Sequence, residues 1–136
     1  LLPENSILFS SRAPIGYVAI AKKPLATNQG FKNIILSNSI NPKFVYYYLK
    51  TIKGLAEEMA SGTTFLEIST SKFKQIPFPL PPIEEQHRIV QKIEEVFSEL
   101  DNNLTLLNKS KNDLQNYWQL SLRNAFKQYT ATVSLG

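Results

Sequence analysis

The period of the apolar positions changes along the chain, and each change marks an element. Within the first forty residues, short apolar runs at 6–9 (SILF), 17–21 (YVAIA) and 33–36 (NIIL) are separated by turn chemistry at 13–16 (APIG) and 28–30 (NQG). Runs of that length, bounded by Gly, Pro and Asn, predict three strands. The period then becomes helical. Asn41 followed by Pro42 pairs a capping residue with the residue suited to the first helical position, and Val45, Tyr48, Leu49, Ile52, Leu55, Ala56 and Met59 follow at helical spacing. Gly62 is placed to end this helix, and Gly54 is a weak point inside it. Further on, Ser69 or Ser71 can cap one short turn before the chain enters IPFPLPP at 76–82. There Ile76, Phe78 and Leu80 alternate with Pro77, Pro79 and Pro81. The prolines fix an extended backbone and remove amide donors, so an edge strand or polyproline segment is expected, with its large side chains directed to a core. A proline-rich ligand for an adaptor domain is the competing reading.

From Ile83 onward there is no proline, and the only glycine is the last residue. Ile93, Phe97, Leu100, Leu104, Leu107, Lys111, Leu114, Trp118, Leu122, Ala125 and Tyr129 follow one another in steps of four and three, with one extra four-step after Trp118. That is a coiled-coil seam with a stutter near its end. Glu84, Glu85, Glu94, Glu95, Glu99 and Asp101 crowd the first half, while Lys109, Lys111, Arg123 and Lys127 dominate the second, as the helix dipole favours. Glu84 and Arg88 are spaced for an i,i+4 ion pair. One helix over 83–130, about 70 Å long at 1.5 Å per residue, is predicted. Its seam is too long for the preceding segment to cover, so a partner helix is required. Lys111 within the seam costs stability but can set register. The fold class is α+β: a small mixed sheet and helix domain over 1–82, one long coiled-coil helix over 83–130, and a tail over 131–136.

Composition narrows the function. At 136 residues and 43% hydrophobic content, the chain fits one ordinary domain, or a small domain with an appendage. It has no cysteine, which excludes disulfides and thiolate metal sites and fits a reducing cytoplasm. No run approaches a bilayer span and no signal-peptide pattern is present, so a cytoplasmic location without membrane contact is expected. The Leu-Leu start, with Met59 as the only methionine, predicts a piece of something longer. Residues 1–82 hold nine basic and four acidic side chains, residues 83–136 six and seven. The basic excess therefore belongs to the first segment, where a polyanion would bind. Chemistry is scarce. His87, the only histidine, reads as a solvated residue near the helix start, and Glu84 and Glu85 are adjacent positions that do not face each other. No phosphate loop, ligand cluster or activated nucleophile is visible, so no catalytic residue, metal or cofactor is expected.

Residues 9–34 (FSSRAPIGYVAIAKKPLATNQGFKNI) and 61–94 (SGTTFLEISTSKFKQIPFPLPPIEEQHRIVQKIE) resemble the specificity subunits of type I restriction-modification systems. Pro81-Pro82-Ile83-Glu84-Glu85-Gln86, followed by Ile89-Val90, looks like that family's junction between a target recognition domain and its long helix. The resemblance implies a pseudo-repeated subunit with two recognition domains, each reading half of a split site in double-stranded DNA. Its two helices would pair antiparallel, as a ruler and as a dock for methyltransferase subunits in a complex with restriction subunits. With one domain-helix unit here, the partner would be a second copy or another unit, and the first part of the recognition domain would be missing. Arg12, Asn28, Gln29, Thr63 and Thr64 are candidates for base edges, because Arg, Asn and Gln can make paired contacts with purines. Lys22, Lys23, Lys72 and Lys74 are candidates for phosphates. Plainer roles compete: Asn28 and Gln29 shaping a turn, Thr63 and Thr64 capping a segment, Arg12 in a surface salt bridge. The alternative to DNA reading is an assembly module that dimerises through the helix and binds only protein.

Overall fold

A computed structural model describes residues 1–62 and 66–127. Thr63 and Thr64, the end of the long helix with Tyr129, and the tail over 131–136 lie outside the described residues. The three strands form one antiparallel sheet, β1 (Ile7–Ser10), β2 (Val18–Ile20) and β3 (Phe31–Ile34), in the order β2-β1-β3. Ile7 stands opposite both Ile20 and Ile34, and Phe9 opposite Val18 and Lys32. β1 is central because both of its ladders are filled, and Ile7 and Phe9 are fully buried.

Four helices follow: α1 (Pro42–Thr51), α2 (Lys53–Met59), α3 (Thr70–Phe73) and α4 (Ile83–Lys127). Asn41 caps α1 as expected, its Oδ1 accepting from the amides of Lys43 and Phe44, with Pro42 at the start. Ser69 caps α3, accepting from the Lys72 amide at 3.3 Å. The core of the first unit joins Ile7, Phe9, Ile15, Val45, Leu49, Ile52, Ala56 and Ile68, so most of the face predicted by spacing packs in the core, with Tyr48 and Met59 at its edge, while Leu55 is exposed and does not join it. The chain divides at Ile93: Leu1–Ile93 is one compact unit, and from Glu94 the described chain is α4 alone.

Several local expectations are corrected. The third strand begins two residues earlier than its apolar run, because the Asn28 Oδ1 accepts from the Gly30 amide and closes the turn there. Beyond Ile34 the next ladder position on β1 would fall to Asn5, which stands at φ 66° and donates its amide to the Ala21 carbonyl, so it offers β3 no partner. The single helix predicted over 42–59 is two, broken at Ile52, whose backbone (φ −90°, ψ 7°) leaves the helical basin. The proline segment pairs with no strand among the described residues. Phe78 packs edge-on against Phe44 and Tyr48 of α1, with ring centroids 6.0 and 5.1 Å apart, but Leu80 is 61% exposed and does not enter a core. Tyr48 donates its hydroxyl to the Pro77 carbonyl, which ties the segment to α1.

Candidate nucleic-acid interface

The end of β1 is where candidate contact residues gather. Just beyond the strand, the Ser11 amide donates to the Gly30 carbonyl at 2.8 Å, the Ile68 amide to the Ser11 carbonyl at 3.0 Å and the Ala13 amide to the Leu66 carbonyl at 3.1 Å. Ser61 and Glu67 exchange backbone hydrogen bonds at 3.0 and 3.1 Å. Chain segments far apart in sequence are thereby fixed side by side: 11–13, 28–30, Ser61 and 66–68. Arg12 and Asn28 both border Gly30, where a Cβ would stand 3.0 Å from the Asn28 Oδ1 and 3.8 Å from the Arg12 Cδ. Gln29 is exposed at the same turn.

Charge in this cluster is partly compensated. The Arg12 Nε donates to the Glu67 Oε2 at 2.9 Å, with the Arg12 side chain still 47% exposed, and the Lys32 Nζ lies 3.7 Å from the Glu67 Oε1. The surface salt bridge weighed for Arg12 is therefore present. It engages Nε and leaves the rest of the guanidinium fork directed by that anchor. Lys74 is exposed after α3, and with Lys32 it lines an apolar cavity of about 670 Å³ between β3, α1 and α3. Between Lys72 and Lys74, Phe73 packs on Phe9 with ring centroids 4.9 Å apart. So Arg12, Asn28, Gln29, Lys72 and Lys74 belong to neighbouring segments. Lys22 and Lys23 do not join them. They follow β2 where Ala21 pairs with Ser6, at the other end of β1, about 20 Å from Arg12 at roughly 3.3 Å per residue.

Sequence reasoning passed over Lys32 and Glu67 here. A single lysine between Phe31 and Asn33 in a short strand is a weak signal, and Glu67 gains meaning only through Arg12, fifty-five positions away.

At the root of α4 the first turns are organised by polar contacts. Gln86 is buried, its Oε1 accepting from the Asn41 amide at 2.9 Å and its Nε2 donating to the Pro81 carbonyl at 2.8 Å. The Asn41 Nδ2 lies 3.1 Å from the His87 Nδ1. His87 is exposed, as a surface residue would be, and it is also held by this contact. The ion pair expected from Glu84 is made by Glu85 instead: Arg88 reaches it through Nε at 2.7 Å and Nη2 at 2.6 Å. The hydrogen bond from Arg88 holds the Glu85 carboxyl below the usual carboxylate range, and the same pair raises Arg88.

Along the rest of α4 the seam positions Phe97, Leu100, Leu104, Leu107, Leu114, Trp118 and Leu122 are 42–68% exposed in the single chain, and Ile93 is half-buried at the end of the first unit. Leu106, Tyr117 and Leu120 are also exposed, off the seam, so the apolar surface is wider than one stripe. Among the described residues no cluster of His, Cys, Asp or Glu could hold a metal, and no helix is long and apolar enough to cross a membrane.

The chain is similar to specificity subunits of type I restriction enzymes. Over 92 residues, 65% of this chain and 21% of the relative, the sequence is 47% identical to the type I restriction enzyme MjaIX specificity subunit of Methanocaldococcus jannaschii. A crystal structure of the type I restriction-modification S subunit from M. genitalium aligns with a TM-score of 0.58 and 29% identity, covering 95% of this chain and 36% of that one. A chain from a structural study of type I complex assembly aligns with a TM-score of 0.68 and 27% identity, covering 93% and 31%. The chain thus spans about a fifth to a third of the length of these relatives. The model of the type I restriction modification DNA specificity domain matches residues 1–116, from the strand-bearing unit well into α4, and the chain belongs to that family.

Proposed function

We propose that this chain is the DNA-reading and spacing portion of a type I specificity subunit, acting by binding and positioning. The sheet end carrying Arg12, Asn28 and Gln29, with the flanks of Thr63 and Thr64, approaches base edges, while Lys72 and Lys74 contact phosphates of a duplex half-site. Lys22 and Lys23, at the far end of β1, would reach phosphates only on a footprint longer than one half-site face. α4 pairs with a second helix of the same kind, from another copy or another unit, and the pair separates two recognition domains. The wider apolar surface at Leu106, Tyr117 and Leu120 supports docking of methyltransferase subunits beside that pair, in a cytoplasmic complex that also holds restriction subunits. The observation that carries the reading is α4 itself: an uninterrupted 45-residue helix with its apolar seam exposed, rooted in a domain whose charge is basic.

A protein-only assembly module is the second reading, and Glu67 favours it, because its carboxylate compensates Arg12 and approaches Lys32. Light scattering combined with duplex binding at low salt separates the two. DNA reading predicts a dimer that binds duplex with affinity falling steeply as salt rises. A dimer without duplex affinity at low salt would instead establish the assembly module.

A further inference from the structure

We infer that Gln86 is the positioning residue that sets the direction in which α4 leaves the recognition domain, by completing the N-terminal cap of α1 from 45 residues away. In an ordinary capping box, a Glu or Gln at the third helical position reaches back to the amide of the capping residue. In α1 that position is Phe44, which has no acceptor, so the Asn41 amide lacks its local partner. Gln86 supplies it from α4. Its Oε1 takes the Asn41 amide at 2.9 Å, and its Nε2 donates to the Pro81 carbonyl at 2.8 Å and approaches the Ser39 carbonyl at 3.5 Å. The side chain is 1% exposed, so water cannot substitute for any of these partners.

Directionality is what distinguishes this residue from its neighbours. One turn on, Val90 is buried too, but apolar packing tolerates sliding and small rotations. Turning the helix root by one position would leave the Asn41 amide and the Gln86 carboxamide unpaired in a dry interior, which hydrogen-bonding groups resist strongly. The outer contact between His87 and Asn41 repeats the constraint at the surface. The inference rests on the spacer reading for its functional meaning. A tilt of about 10° at the root displaces the far end of a helix of roughly 60 Å by about 10 Å, on the order of three base pairs.

The chain has no cysteine, so spin labels can be attached at Glu58→Cys in α2 and Asn103→Cys in α4, both exposed and neither a proposed contact with DNA, and the distance between them measured. With Gln86 present a single narrow distribution is expected. Gln86→Met, which keeps the volume and loses every hydrogen bond, is expected to broaden it while cooperative unfolding is retained. Gln86→Glu, which keeps the acceptor for Asn41, is expected to fall between. An unchanged width in Gln86→Met overturns the inference. Should that variant fail to fold, amide exchange in the unsubstituted protein decides: Asn41 exchanging as slowly as Val90 supports the inference, and rapid exchange at Asn41 overturns it. A duplex series with varied half-site separation, run on the same proteins, tests the spacer reading separately. Broadened distances without any separation preference in the unsubstituted chain would remove the spacer reading and leave the Gln86 lock standing.

Discussion

Gly16 lies in the loop between β1 and β2 at φ 93°, a conformation that L side chains rarely adopt, and a Cβ there would come within 2.5 Å of the Lys53 Cγ and 2.9 Å of its Cβ. The Lys53 stem crosses directly over the backbone of the APIG turn, so this glycine is required twice, by its dihedral and by its neighbour. Gly16→Ala is expected to destabilise the first unit by roughly 1–3 kcal/mol, read as a lowered urea midpoint at an unchanged slope. A shift below about 0.5 kcal/mol would mean that the loop relaxes freely around the added methyl. Ser10 reinforces the same turn, its hydroxyl donating to the Pro14 carbonyl at 2.9 Å and accepting from the Tyr17 amide at 2.8 Å. The loop that delivers Arg12 is therefore held from both sides, which makes the placement of that guanidinium a property of the scaffold.

Among the elements, α4 has the least support from its own chain. From Glu94 on it is a lone helix with large exposed side chains at seam spacing, and an isolated helix of this composition gains its stability by covering them. Leu104→Glu combined with Leu107→Glu is expected to convert an associated chain to a monomer in light scattering, while thermal unfolding of the first unit is unaffected, because neither residue belongs to its core. Continued association of the double variant would show that another surface holds the copies together. α1 is the opposite case: it is capped by Asn41, packed on the sheet, touched by Phe78, and its cap is bonded by Gln86, so its environment is fixed by segments before and after it.

At the scale of the whole molecule, charge is divided by position. The lysines offered as phosphate contacts fall in two groups, Lys72 and Lys74 at the end of α3, whose Phe73 packs on Phe9, and Lys22 and Lys23 beyond β2 at the opposite end of β1 from Arg12. If the Arg12 end meets DNA, Lys72→Gln with Lys74→Gln should lower the slope of log affinity against log salt by about 2. Lys22→Gln with Lys23→Gln should change it less. Equal effects from both pairs would place the duplex along the length of the sheet, and no effect from Lys72 and Lys74 would remove α3 from the interface.

Much of this architecture was legible in the amino-acid order, because its signals are local. Caps act over three residues, as at Asn41 and Ser69, and amphipathic period is written in steps of three and four, which is why the starts of α1, α3 and α4 fall where the pattern puts them. The break at Ile52, the exposed Leu80 and the shift of β3 were not legible, since each follows from what a neighbouring segment leaves available. Function lies on the same divide. The sequence alone determined that a basic, strand-rich head precedes a long helix with one greasy edge. Only the tertiary structure decided that Arg12 is braced by Glu67, that Lys22 and Lys23 stand apart from it, and that Gln86 closes the cap of a helix 45 residues earlier. Those pairings join residues far apart in the chain, and no periodicity or local propensity encodes which distant polar group will meet which.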